Sequence, residues 1–316
     1  MTVFAMACAR MGVLALLLPG LALSSAGQSH ASHPKEKLPK VGSAPAILWR
    51  EPTDIKTRDL YYGPGGKDHV PRGKLSFVDE DLHGTNPKFN VLDEDHVHWG
   101  VKMGNEAGPE TAATRLVWAA GYFADEEYYV PELPAKGLPR LSRGENLIHK
   151  GTIHGARLKR HNHGEQHIGF WRFDKNPFAG TRELNGLKVV MELINNTDFK
   201  PEHLVIFDVD QVEQRYMIKD LGASFGRAGA GYFNRTKGVL SDYLRFPLIK
   251  KADPGYLDFW YFKHIPRADA KWIGGILAQL SDEQIADAFR AGGFSPEEVE
   301  GFTKKLREKI IELNNL

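Results

Sequence analysis

The strongest constraint on this chain is a polar loop, Asn195-Asn196-Thr197-Asp198-Phe199-Lys200-Pro201-Glu202-His203, followed after a short apolar stretch by Asp220-Leu221-Gly222. A helical run enters the loop, because residues 181–194 place Leu184, Leu187, Val190, Met191 and Ile194 at helical spacing. Residues 204–208 and 215–218 then read as the two strands of a hairpin that delivers Asp220. Two carboxylates and a lysine are thereby returned to one region, which suits a chain folded around a cleft.

Composition narrows the classes. The 316 residues and 42% hydrophobic content allow one large domain or two lobes with a sizeable core. The 41 basic and 40 acidic residues nearly cancel, which argues against a general binder of nucleic acid or membrane surfaces. Arg10, the apolar run 11–23 and the small residues Ser24, Ser25 and Ala26 read as a secretory signal over 1–26. Its apolar core is shorter than a membrane span, so no stable insertion is expected after cleavage, and the mature chain is expected to be secreted or periplasmic. Residues 27–46, rich in Lys, Pro, Ser and Gly, read as a flexible linker. The only cysteine, Cys8, falls in the signal. Thiol nucleophiles and thiolate zinc sites are thus excluded from the mature chain.

Further along, strands are expected at 75–78, 89–91 and 97–102, separated by turns at 83–87 and 93–95. A helix follows from Pro109 to Ala120, with proline in its first turn and Gly121 past its end. The middle, 128–173, carries further strands and loops without a readable register. After Asp220 an irregular segment reaches Pro266 and a helical tail follows. Two of its helices are clear, at 281–291 and 295–313, each opened by a capping-box pair, Ser281 with Gln284 and Ser295 with Glu298.

In order, the elements are strand, turn, strand, strand with Lys102, helix with Glu110, helix, Asp-loop, hairpin and Asp-Leu-Gly. Phosphoryl transfer needs such groups. One carboxylate orients the attacking hydroxyl, cations screen the transferring phosphate, and another carboxylate holds a metal. Lys102 is expected to contact the donor phosphates and Glu110 to hold it by an ion pair. Gly84, in the first turn, lets backbone amides approach phosphate. Asp198 takes the base position, Lys200 the screening position and Asp220 the metal position. ATP or another nucleotide, with magnesium or manganese, is the cofactor set this implies.

Six runs carry a family resemblance: 84–89 (GTNPKF), 101–104 (VKMG), 109–112 (PETA), 176–178 (NPF), 181–187 (TRELNGL) and 220–226 (DLGASFG). They are similar to a family of secreted bacterial proteins that itself resembles the atypical kinases, including spore-coat and secretory-pathway kinases. The resemblance runs from about Trp49 to the tail. It implies an α+β, two-lobed, protein-kinase-like fold, with an N-lobe (47–175) of antiparallel sheet plus one helix and a mainly helical C-lobe (176–316) ending in a two-helix tail. The implied function is that of an exported kinase-like phosphoryl or nucleotidyl transferase. The alternative is a secreted pseudokinase that binds a protein or glycan.

One departure stands out. His203 occupies the position where the kinase pattern has an asparagine for a second magnesium. Histidine is a poor magnesium ligand; it suits manganese or zinc, or marks a weakened metal site. Other signals compete. His96 and His98 would share a strand face, and five histidines, among them His161 and His167, fall within 149–167. Clustered histidines bind zinc or copper, but the spacing matches no defined site, and the stretch reads as a solvated loop. The run Arg157-Leu158-Lys159-Arg160 either touches an anionic substrate or forms one exposed strand face. Gly222-Ala223-Ser224-Phe225-Gly226 fits G-x-S-x-G as a string, without the strand-to-helix context of a nucleophile elbow.

Overall fold

The computed structural model describes residues 44–162, 164–227 and 236–316. The signal expected over 1–26, Cys8 with it, and nearly all of the linker expected over 27–46 lie outside the described residues. At its end the linker expectation needs correcting. Gln214 donates its backbone N–H to the Pro45 carbonyl (2.8 Å), and β1 (Ala46–Ile47) pairs in parallel with residues 214–215.

The class is α+β. Strands β2 (Ser76–Asp81), β3 (Lys88–Leu92) and β4 (His98–Met103) form an antiparallel meander, followed by α1 (Ala107–Ala119) and then β5 (Glu127–Pro134), β6 (Ile148–His149) and β7 (Thr152–Arg160). The sheet order is β2-β3-β4-β7-β5, with β6 paired to β7. Phe89, Val91, Trp99 and Val101 form its core on alternating positions of β3 and β4, joined by Ile153, Ala156 and Leu158 of β7, as expected of strands with one buried face. Residues 149–167 are therefore largely strand rather than a solvated loop. Arg157, read as part of an exposed face, is buried.

The chain leaves this sheet after β7. Strand β8 (Glu165–Phe170) already belongs to a second sheet, so the change of sheet falls between 160 and 165, upstream of the lobe boundary expected at 175. Helix α2 (Arg182–Leu193) is capped by the Thr181 side chain, which accepts from Leu184 N–H. Strands β9 (Leu204–Val209) and β10 (Glu213–Ile218) form the expected hairpin, and the order is β1-β10-β9-β8. A short helix α3 (Leu240–Tyr243) precedes a small sheet of β11 (Lys251–Ala252), β12 (Tyr256–Asp258) and β13 (Ile265–Pro266).

The tail holds a further helix upstream of the two clear ones: α4 (Arg267–Leu277), then α5 (Asp282–Ala291) and α6 (Pro296–Asn314). The Gly274-Gly275 pair hides α4 in the sequence, because glycine disfavours helix interiors. Packing requires it, since a Cβ on Gly274 would lie 2.6 Å from Leu313 Cβ on α6. Both capping boxes form as expected. The tail also anchors the segment after Asp220. Phe225 is fully buried against Tyr243, Phe289 and Phe302, and its N–H reaches the Ile194 carbonyl (2.8 Å). No helix among the described residues is long and apolar enough to cross a membrane.

Candidate functional site

Lys102 lies near the end of β4 with its side chain only 2% exposed. A buried ammonium persists only where carboxylates surround it, and three do. Its Nζ is 2.8 Å from Glu110 Oε2, 2.7 Å from Glu106 Oε2 and 2.5 Å from Asp220 Oδ1. Glu106 immediately precedes α1, Glu110 is in its first turn, and Asp220 arrives from 118 residues away. Burial pushes the Lys102 ammonium down, but Glu110, then Asp220 and Glu106, outweigh it and hold its pKa well above the ordinary lysine value.

Each carboxylate has a second cation. Glu110 Oε1 accepts from Arg157 (3.2 Å), Glu106 pairs with Lys237, and Asp220 Oδ2 lies 3.2 Å from His203 Nε2. Burial raises Asp220, yet the bonds from His203 and Lys102 hold its carboxyl far below the usual carboxylate range. Asp220 also sits in the left-handed region (φ 55°, ψ 56°). Non-glycine residues adopt that conformation at a cost, and such strain gathers at functional positions.

His203 lies between two oxygen acceptors. Its Nδ1 is 2.7 Å from the Asp198 carbonyl and its Nε2 faces Asp220. Both partners are acceptors, an arrangement that favours the protonated ring. Burial alone would lower its pKa, but Asp220 and the Asp198 carbonyl raise it. When the ring is protonated it has no lone pair to offer a metal and bridges Asp220 to the loop as a cation.

The groups open on a cleft of about 830 Å³ lined by Lys102, Glu110, Lys200, Glu202, His203 and Asp220. Gly84 lies in the β2–β3 turn over this cleft with φ +69°. The turn is tied down by Arg143, which donates to the Gly84 carbonyl (2.7 Å), and by Asn86, which donates to Glu106 (2.5 Å). Asp198 is not on the cleft wall. Its carboxylate lies 3.4 Å from Lys200 Nζ, and Glu202 is the acid of the loop that lines the cleft.

Glu106, Glu110 and Asp220 each offer an oxygen, all within 4.8 Å of one another, and they are the one such grouping among the described residues. No histidine belongs to it, which removes the histidine-cluster reading from the described part of the chain. His149 stacks on His154 and His98 meets His161, as separate pairs. Hard carboxylate oxygens are the donors magnesium and manganese take. The set fits such a cation chemically, with the Lys102 ammonium as its competitor for the centre. Glu106 and Arg157 were missed in the sequence. An acid on the turn between a strand lysine and its helix glutamate was the available signal for Glu106, whereas Arg157 was masked by its basic neighbours.

No protein-family model and no curated protein matches the chain. Among solved structures it is similar to the Helicobacter pylori proinflammatory kinase CtkA, with a TM-score of 0.47 and 12% identity, over 76% of this chain and 95% of that one.

Proposed function

We propose that this chain is an exported, atypical kinase-like phosphotransferase that uses a phosphoanhydride donor such as ATP with magnesium or manganese. The observation that carries this reading is the buried Lys102, bridged at once to a helix glutamate (Glu110) and to the Asp of Asp220-Leu221-Gly222. Ion pairs of this kind position donor phosphates in phosphoryl transfer. A hydroxyl oxygen of the acceptor attacks the terminal phosphorus while the bond from that phosphorus to the bridging oxygen breaks. The hydroxyl proton passes to a carboxylate of the 195–203 loop, Asp198 by sequence position or Glu202 by its place on the cleft wall. Lys102 and Lys200 offset the charge gathering on the leaving and transferred groups. Asp220, with Glu106 and Glu110, would hold a divalent cation, which would supply further neutralisation of the phosphates. The acceptor is a protein or glycan hydroxyl.

A second reading is favoured by one observation. Both nitrogens of His203 face oxygen acceptors, Asp220 and the Asp198 carbonyl, where the kinase pattern has an asparagine for a second cation, which suits a pseudokinase acting as a binding module. Thermal denaturation with ATP and manganese, on the wild type and on Asp220→Asn, tests for the nucleotide site. Asparagine tolerates the left-handed backbone of that position. A ligand that binds only the folded state raises the melting temperature, and the rise is expected to need metal and to vanish in the variant. No rise under any of these conditions sinks the transferase reading.

A further inference from the structure

Two lysines that line the cleft share one carboxylate, that of Asp125. Lys159 on β7 lies 3.8 Å from Asp125 Oδ2, and Lys219, just before Asp220, lies 3.4 Å from Asp125 Oδ1. The side chains are 26%, 20% and 15% exposed for Lys159, Lys219 and Asp125. Both lysines line the cleft together with His161, and Lys219 also lies over the Phe207 ring (4.7 Å).

The strand register makes this cluster continuous with the Lys102 site. Lys102 pairs with Arg157 and Gly100 with Lys159. Residues two apart on a strand face the same way, so Arg157, Lys159 and His161 form a row in which each step is about 7 Å. Gly100 contributes no side chain opposite Lys159, and a Cβ there would come within 3.3 Å of His161 Nε2. Glycine at this position keeps the row open to the cleft.

One carboxylate faces two ammonium groups here, and Glu165, the other acid within reach of Lys219, is already paired with Arg215, so the cluster carries surplus positive charge. Asp125 pushes Lys159 up, but Lys219, burial and Arg157 together bring it down to about 8. Burial, Lys159, His98 and Lys219 hold His161 below its ordinary value. A neutral aromatic base stacked here would desolvate the two lysines without pairing them, which is unfavourable. An anionic group would relieve their repulsion.

We propose that the cleft takes a linear chain of linked phosphates lying along it, with its reacting end at Lys102 and Asp220 and its far end between Lys159, Lys219 and His161. This rests on the phosphotransferase reading and specifies its donor, an inorganic polyphosphate in preference to an adenine nucleotide. The two ligands share the phosphate chain, and only the nucleotide carries a base.

Calorimetric titration at neutral pH with manganese distinguishes them, using sodium tripolyphosphate, ATP and adenosine on the mature chain. Tripolyphosphate is expected to bind about tenfold tighter than ATP, the worth of one added charged hydrogen bond, and adenosine is expected not to bind. Lys159→Gln with Lys219→Gln should abolish the difference, while Lys159→Arg should keep it. An unchanged melting cooperativity in the double variant would show that it still folds. ATP binding as tightly as tripolyphosphate in the wild type, or a difference that survives the double variant, overturns the polyphosphate assignment and leaves the phosphotransferase reading standing. Binding of neither ligand overturns both.

Discussion

Replacing Lys102 by methionine removes the ammonium on which Glu106, Glu110 and Asp220 converge. The cavity stays filled, so the effect is electrostatic. Removing one partner of a buried ion pair costs about 3–5 kcal/mol, because the charge left behind is desolvated. Each acid here keeps one other cation, Lys237, Arg157 or His203, and Asp220 is 36% exposed, where solvent screens it. The lower end of the range applies, about 3 kcal/mol. For a chain of this size that lowers the melting temperature by about 5 °C. The vacated centre is also left with three oxygen donors and no competing ammonium. Added manganese is therefore expected to raise the melting temperature of Lys102→Met more than that of the wild type. Scanning calorimetry with and without manganese reads both quantities. A melting temperature within a degree or two of wild type, together with no extra response to manganese, would refute the idea that these acids compete for one central cation.

Other consequences follow from the same geometry. If Asp198 accepts the hydroxyl proton, Asp198→Asn should lose turnover by about a hundredfold or more with donor binding retained, and Glu202→Gln should stay near wild type; the opposite ranking in steady-state assays would assign the role to Glu202. The His203–Asp220 pair has a defined pH window. His203 is raised above 6.5, so its contribution is complete below that value and is lost as pH rises through the folded value, whereas Asp220 is lowered below 3.8, so its contribution is present above 3.8 and lost in acid. The stability gap between wild type and His203→Gln should be widest between these values and narrow as pH rises through the folded value of His203, and a gap that widens towards alkaline pH in parallel melts would contradict a raised His203. Lys309 is buried over the Tyr243 ring (3.8 Å), and burial, with help from Lys305, lowers it to about 7. Its penalty is full below that value and gone above 10.5, so Lys309→Met should raise the melting temperature by a few degrees at pH 6, and a lowered one would show that the ring contact outweighs desolvation.

Much of the site was legible because its residues sit at element boundaries with characteristic punctuation. Lys102 ends a strand, Glu110 follows Pro109 in a first helical turn, and Asp220 precedes Leu-Gly. The structure brings Lys102, Glu110 and Asp220 within hydrogen-bond reach of one ammonium. Asp198 was placed correctly on its loop, but which way its carboxylate faces depends on turn geometry that no spacing rule encodes. His203 was legible as a departure, whereas its role depended on two acceptors, one of them a backbone carbonyl. The basic strand 157–160 was ambiguous because alternation alone does not say which face is buried. The answer came from its pairing with β4 and β5 on either side, a long-range fact. Helix α4 was obscured for a similar reason, since Gly274 answers to α6 rather than to its own neighbours.

On the proposed function, Lys102, Glu110 and Asp220 assemble a site that turns over a phosphoanhydride. The most direct test follows the donor by phosphorus NMR, with tripolyphosphate or ATP and manganese removed by chelation before each spectrum. The terminal phosphorus resonance is expected to decline with wild type and an added hydroxyl acceptor, and to persist with Asp220→Asn. A donor that binds the wild type yet stays intact, with spectra indistinguishable from those of the variant, would contradict catalysis and leave the binding module as the function of this cleft.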